Sequence, residues 1–150
     1  METLLITAIL IGNLTVTSYR PVKEQTDDSP FYTSTGEHVR SGGCAVSRDL
    51  LCGACMRLHK RCDQPQNAQK IHYGDWLYVG QYEYRQVNDV MGPYTKQRVN
   101  GKIVKIPISN HIDVFVWTYE QEKSVNVKKL KVYKVNKPKG VPSGKTTTAR

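Results

Sequence analysis

The amino-acid sequence predicts a single, mainly β domain, and three observations support this fold class. The chain has 150 residues, a length that fits one hydrophobic core with short extensions. Short runs rich in β-branched and aromatic residues recur between turn signals. The pair Asn100-Gly101 separates two of these runs, and Asn-Gly is the strongest short signal for a β-hairpin. With 39% hydrophobic and 23% charged residues, the chain is expected to bury a core.

The individual elements are predicted from alternation and from turn residues. Strands are expected over residues 14–19, 76–79, 82–87, 111–117 and 130–135. The second and third of these strands are expected to form a hairpin that turns near Gly80-Gln81. Asn100-Gly101 is expected at the tip of a projecting hairpin over residues 94–109. Residues 118–124 favour one helical turn.

The two ends of the chain differ from this β pattern. Residues 1–13 include an apolar run, 4–11, which has the length of a signal peptide and is too short for a transmembrane helix. Glu2 and the lack of a small-x-small cleavage site argue against a cleaved signal, so a strand or a contact within a larger assembly is the alternative. Residues 136–150 are rich in Pro, Gly, Ser, Thr and Lys, which predicts a flexible basic tail.

The charge balance is basic. The 22 Lys and Arg residues exceed the 13 Asp and Glu residues, and the net charge of +9 predicts attraction to polyanions. A solvated basic surface explains the excess equally well, because the basic residues are scattered along several strands. No ribonucleoprotein motif or zinc-finger spacing accompanies them, so the sequence does not favour a nucleic-acid binder.

A series of motifs in the same order resembles the three-aspartate domain family. Tyr73 to Val79 is similar to the "PLGTKVYI" strand of that family, Val87-Asn88-Asp89 to the end of its "AEDTG" strand, and Ile112-Asp113-Val114-Phe115 to its "IDIF" strand. Further matching segments are 15–19, 32–36, 45–50 and 129–133. Several ordered motifs are more specific than any one of them.

The resemblance implies a six-stranded double-psi β-barrel over residues 14–135, shared with membrane-bound lytic transglycosylase A. A Cys-rich insert at 52–69 and the hairpin at 94–109 would be additions to it. It also implies a reaction: cleavage of the peptidoglycan glycan strand between N-acetylmuramic acid and N-acetylglucosamine, which leaves a 1,6-anhydro end.

The resemblance assigns the catalytic role to Asp113, with Asp89 as a second carboxylate. A lytic transglycosylase needs one dominant acid, because the 6-hydroxyl of the substrate replaces water as the nucleophile. Asp113 lies between two apolar residues, so burial is expected to raise its pKa toward the value that a general acid requires. Hydrogen bonding within a turn is the ordinary alternative for an aspartate at a strand end.

Four further residues are predicted to contact substrate. Thr33 and Thr35 precede Gly36 where the family has "TASG", and turn capping is the alternative for both. Ser47 stands where the family has its first aspartate, a departure that puts activity in question. His111 is included because it lies two residues before Asp113. Aromatic side chains at strand positions could stack on sugars or pack in the core: Tyr19, Tyr32, Trp76, Tyr78, Phe115 and Trp117.

The four cysteines form a second group of chemically notable residues. Cys44, Cys52, Cys55 and Cys62 lie within 19 residues and include a C-x-x-C element. They fit structural zinc, with His59 as a possible substitute ligand, or two disulfides. A redox role has less support because no βαβ pattern surrounds the motif.

Two classes of function remain open at this level. The first is a bacterial or phage-borne lytic transglycosylase that acts on peptidoglycan without a catalytic cofactor. The second is a non-catalytic barrel that binds other proteins in a virion tail, an envelope or another assembly. Either would act outside the cytoplasm or on a virion, and neither needs a transmembrane span.

Overall fold

Six strands close into a barrel in the computed structural model, which describes residues 8–22, 29–63, 69–125 and 127–140. The eight strands in chain order are β1 (Ala8–Tyr19), β2 (Gly43–Val46), β3 (Trp76–Tyr78), β4 (Tyr84–Val90), β5 (Tyr94–Val99), β6 (Lys102–Pro107), β7 (His111–Phe115) and β8 (Lys128–Val135). Two short helices are α1 (Gly53–Leu58) and α2 (Tyr119–Ser124). The order around the barrel is β1-β7-β2-β4-β3-β8, which confirms the predicted mainly β fold with a closed six-stranded barrel.

The strand pairing has an internal twofold pattern. β1 pairs in parallel with β7, and β2 pairs in parallel with β4; the other four contacts of the barrel are antiparallel. If β1, β2 and β3 are exchanged with β4, β7 and β8 respectively, the order of strands around the barrel and their relative directions stay the same. The chain therefore forms two interlocked βββ units, the arrangement expected of a double-psi barrel.

The core fills the inside of the barrel with apolar side chains from alternate strand positions. Leu14 and Val16 of β1 point inward with Ile112 and Val114 of β7, and all four are at most 1% exposed. Because strand residues alternate between faces, Thr17 and Asp113 point outward. The outer face of β1 and β7 is therefore available for polar chemistry.

Part of that outer face is covered by aromatic packing. Tyr19 and Phe115 lie edge to face with ring centroids 5.5 Å apart, and Val39 from the segment between β1 and β2 packs on them. Both aromatic residues are buried, so they pack in the interior, which was the alternative to stacking on sugars. Tyr32 differs because 57% of it is exposed.

The predicted hairpin is present as a separate two-stranded sheet of β5 and β6. Asn100 and Gly101 form its tip with φ of 50° and 76°, the left-handed values that a tight two-residue turn requires. Val99, Val104 and Ile106 are exposed and lie on one face, because they occupy alternate cross-strand positions. The ribbon thus leaves an apolar face uncovered in the described chain.

The elements differ from the predictions in several places: β4 spans Tyr84–Val90, β7 ends at Phe115 and β8 begins at Lys128. β1 begins at Ala8 rather than at residue 14, because residues 8–13 pair antiparallel with β8. The helix α1 within the cysteine-rich insert was not predicted. The helical turn near residue 118 is confirmed as α2, where Thr118 and Gln121 form a capping box. Residues 1–7 of the predicted N-terminal segment and 141–150 of the predicted tail lie outside the described residues.

Candidate functional site

The two predicted aspartates flank one residue of β2. Ala45 pairs with Asp113 on β7 and with Asp89 on β4. Strands in a sheet are about 4.8 Å apart, so the two Cα atoms are separated by about 10 Å across β2. Because cross-strand partners point to the same face, both carboxylates lie above the small side chain of Ala45.

A β-bulge in β4 places Asp89 on this face. Cys44 pairs with Val87 and Ala45 pairs with Asp89, so Asn88 is an extra residue in β4. Val87 points into the core, and regular alternation would send Asp89 to the same side. The bulge turns Asp89 outward instead, beside Asp113.

Backbone amides hold the Asp89 carboxylate. Ser34 N and Val90 N donate to its Oδ1 at 3.0 and 2.8 Å. Backbone donors to a carboxylate are fixed in direction, so they orient the group. Asp89 therefore connects β4 to the segment that covers the outer face of the barrel.

Asp113 is in a more apolar setting. Burial raises its pKa from the ordinary 3.8 to about 7, and the nearby charge of Asp89 adds to this rise. The hydrogen bond that Thr17 Oγ1 donates to Asp113 Oδ1, at 3.0 Å, acts in the opposite direction. A carboxyl group with such a pKa can both give and accept a proton near neutral pH.

Thr17 also joins Asp113 to His111. Thr17 Oγ1 lies 2.6 Å from His111 Nε2, and burial lowers the pKa of His111, which favours the neutral ring. Since the single hydroxyl proton of Thr17 goes to Asp113, the histidine Nε2–H donates to Thr17. Thr17 is not among the predicted site residues, although its alternation with Val16 places it on the outer face.

The carboxylates of Asp89 and Asp113 line a cleft with a volume of about 780 Å³. Its other walls combine an exposed aromatic ring, small polar groups and basic side chains, contributed by Tyr32, Ser34, Arg48, Met56, Arg57, His59, Met91 and Tyr94. Arg48 is held at the rim by a hydrogen bond from its Nε to Met91 O at 3.2 Å. Burial raises the pKa of Tyr19 at the inner wall, with a contribution from the charge of Asp89, so its hydroxyl stays protonated.

The four predicted substrate-binding residues have other surroundings. Within the described ranges, none of them lines the cleft. The hydroxyl groups of Thr33 and Thr35 form a hydrogen bond of 2.7 Å. Thr35 Oγ1 also donates to Asn88 O at 3.4 Å. Ser47 is fully buried and accepts a hydrogen bond from His111 N at 3.1 Å. These contacts support the turn and the strand end, and Thr17 links His111 to Asp113.

A second cluster combines three cysteines of the cysteine-rich insert with a histidine that follows it. The ligand atoms of Cys52, Cys55, Cys62 and His72 all lie within 4.8 Å of one another, close enough to hold a metal ion. The four cysteines of the chain are free thiols. Cys44 is not part of the cluster, because it points from β2 into the barrel core, and His59 lines the cleft instead. The group that is close enough to hold an ion is therefore three cysteines and His72, and not the predicted four cysteines.

Neither a membrane-spanning helix in the part of the chain that the structure describes nor a known relative adds to this description. Among the described residues, no helix has the length and apolar character needed to cross a membrane. Searches of protein-family models and of curated proteins found no match to this chain.

Proposed function

We propose that the protein cleaves the glycan strand of peptidoglycan as a lytic transglycosylase, with Asp113 as its acid and base. The observation that carries the proposal is the placement of Asp113 and Asp89 on either side of Ala45 in one open cleft. The pKa of about 7 that burial gives Asp113 suits a group that must change protonation state in each turnover. The order of motifs resembling the three-aspartate domain supports the same reaction.

The reaction proposed for Asp113 has two proton transfers. Its protonated form donates to the glycosidic oxygen as the bond to the anomeric carbon of N-acetylmuramic acid breaks. The 6-hydroxyl of the same sugar then attacks that carbon, and the Asp113 carboxylate accepts the hydroxyl proton. Asp113 returns to its starting state, and the product carries a 1,6-anhydro ring. Asp89 stabilises the positive charge that develops on the sugar.

The walls of the cleft suit an anionic saccharide. Arg48 and Arg57 lie with His59 on the side of the cleft contributed by the loop after β2 and by α1. Carboxylates of the peptide stem would pair with these basic groups. The exposed ring of Tyr32 offers a surface on which a sugar can stack.

A non-catalytic binding module is the second proposal. The exposed apolar face of the β5–β6 hairpin supports it, because such faces often mark contacts with another protein. In that case the partner would be a protein of a virion tail or another envelope assembly.

The remaining proposals follow from the substrate. Peptidoglycan lies outside the cytoplasmic membrane, so we expect an extracytoplasmic or virion-associated protein. The acid–base chemistry needs no cofactor, and zinc at the cysteine–histidine cluster would have a structural role.

Release of soluble fragments from dye-labelled peptidoglycan tests the proposed function. We expect the purified full chain to release dye in proportion to time and enzyme concentration. A heat-inactivated sample is the blank. Sedimentation of the protein with the polymer, without release, would contradict the proposed enzyme.

Replacing Thr17 with valine is expected to shift the pH dependence of this activity. Valine cannot donate to Asp113, so the pKa of Asp113 rises further, and the acid stays protonated to higher pH. A hydrogen bond to a charged group is worth roughly 1.5–3 kcal/mol, so the alkaline limb of kcat/KM should move up by about one to two pH units. Thr17→Ser keeps the hydroxyl and should retain the wild-type profile. An unchanged or acid-shifted limb in Thr17→Val would contradict the role assigned to Thr17.

A further inference from the structure

We infer that Cys52, Cys55, Cys62 and His72 form a closed, tetrahedral zinc site that holds the cysteine-rich insert against the barrel. This inference is independent of the proposed glycan chemistry. Zinc prefers thiolate and imidazole ligands, and structural zinc sites use four protein ligands with none left open. The chain supplies four such ligands in one place.

The distances between sulfur atoms fit metal ligands and not a disulfide. Cys62 Sγ lies 3.4 Å from Cys52 Sγ and 3.5 Å from Cys55 Sγ. A disulfide requires a separation of about 2.05 Å. In a tetrahedron with Zn–S bonds of about 2.3 Å, two sulfurs are about 3.8 Å apart. A small outward movement of the thiols would accommodate the ion.

Burial also favours a bound ion. All three cysteines are buried, with Cys52 and Cys55 fully inaccessible to solvent. Cys62 N donates to Cys55 Sγ at 3.2 Å, so the backbone turns around one of the proposed ligands. The spacing C-x2-C-x6-C-x9-H places two ligands at the start of α1 and two after its end.

The surroundings of His72 resemble those of a metal-binding histidine. His72 Nδ1 lies 3.7 Å from Asp75 Oδ2, and the same oxygen accepts a hydrogen bond from His72 N at 2.8 Å. A histidine that binds metal through one ring nitrogen commonly directs the other to a carboxylate, which fixes the ring. We therefore expect Nε2 to be the ligand. Arg61 Nη1, which donates to Asp75 Oδ1 at 3.0 Å, fixes this carboxylate in turn.

The site would add a direct link between α1 and the segment that carries His72. Cys52 N bonds to Ile71 O at 2.7 Å at the base of the insert, and α1 has only six residues. A helix of this length is marginal without outside support. An ion shared by α1 and His72 would supply that support and would hold the wall of the cleft that α1 provides.

Metal analysis of the reduced, purified full chain tests the inference. We expect one zinc ion per chain, and replacement by Co²⁺ should give the sulfur-to-cobalt charge-transfer absorption of a tetrahedral thiolate site. Cys62→Ser and His72→Ala should lose zinc, and Asp75→Asn should bind it about 10–100-fold more weakly. Cys44→Ala is the matched control, because Cys44 is equally buried but lies outside the cluster, and it should keep the ion.

Hydrogen exchange provides a readout that does not depend on variants. Chelation should accelerate exchange at the amides of residues 53–58 and leave the barrel strands protected. Wild-type protein that binds neither zinc nor cobalt would overturn the inference. So would an intact mass that shows a disulfide in the functional protein, or loss of zinc from Cys44→Ala equal to that from Cys62→Ser.

Discussion

Replacing Asp113 with asparagine is expected to reduce fragment release from peptidoglycan by about 10²–10⁴-fold, the typical contribution of a positioned acid or base. Asparagine has nearly the same shape and can still accept the hydrogen bond from Thr17. It can neither donate a proton to the glycosidic oxygen nor accept one from the 6-hydroxyl. The loss should appear in kcat with little change in KM, because binding of the saccharide does not require proton transfer.

Two variants define the specificity of this effect. Glu120→Gln removes an exposed carboxylate from α2, away from the cleft, and should leave the rate unchanged. Asp89→Asn should lower the rate less than Asp113→Asn does, because Asp89 is assigned an electrostatic role. If Asp113→Asn retains the wild-type rate while the other two variants behave as expected, Asp113 is not the acid.

The same Asp113→Asn substitution is expected to stabilise the fold above pH 7. The folded protein keeps the Asp113 proton up to a pKa of about 7, whereas the ordinary value is 3.8. Between these two values the folded state binds more protons than the unfolded state, so the stability that Asp113 contributes is lost as the pH rises. At 1.36 kcal/mol for each pKa unit, the loss is at most about 4 kcal/mol. Asparagine does not ionise, so the variant does not lose this stability as the pH rises.

Urea unfolding of both proteins from pH 4 to pH 8 measures this difference. The free energy of unfolding of Asp113→Asn relative to wild type should rise between pH 4 and 7 and then become constant. Glu120→Gln should show no such trend. A variant that becomes less stable than wild type as the pH rises would mean that the fold favours the charged form of Asp113, contrary to its assigned environment.

Local sequence signals predicted the elements that depend on neighbouring residues. Asn100-Gly101 determines its hairpin through backbone conformations that these two residues adopt readily. Thr118 begins α2 through a capping box that spans four residues. Both features need only a few consecutive side chains, so their patterns can be read directly from the chain.

Features that depend on barrel closure could not be read in this way. The pairing of Ala45 with both aspartates requires a parallel and an antiparallel neighbour on opposite sides of β2. The bulge that turns Asp89 outward is set by the pairing register rather than by a turn residue. His72 joins the cysteines although it lies ten residues after Cys62, and Cys44 faces the core because it alternates with Ala45. Spacing alone therefore suggested Cys44, which lies outside the cluster.

In the proposed reaction, the substrate's own hydroxyl, and not water, attacks the anomeric carbon while Asp113 moves the proton. The most direct measurement is mass spectrometry of the fragments released from peptidoglycan in water enriched in oxygen-18. We expect 1,6-anhydro products without the isotope, since no water oxygen enters the bond that forms. Reducing ends that carry one oxygen-18 atom would contradict it, because water would then be the nucleophile and a second carboxylate would have to act as its base or as a covalent nucleophile.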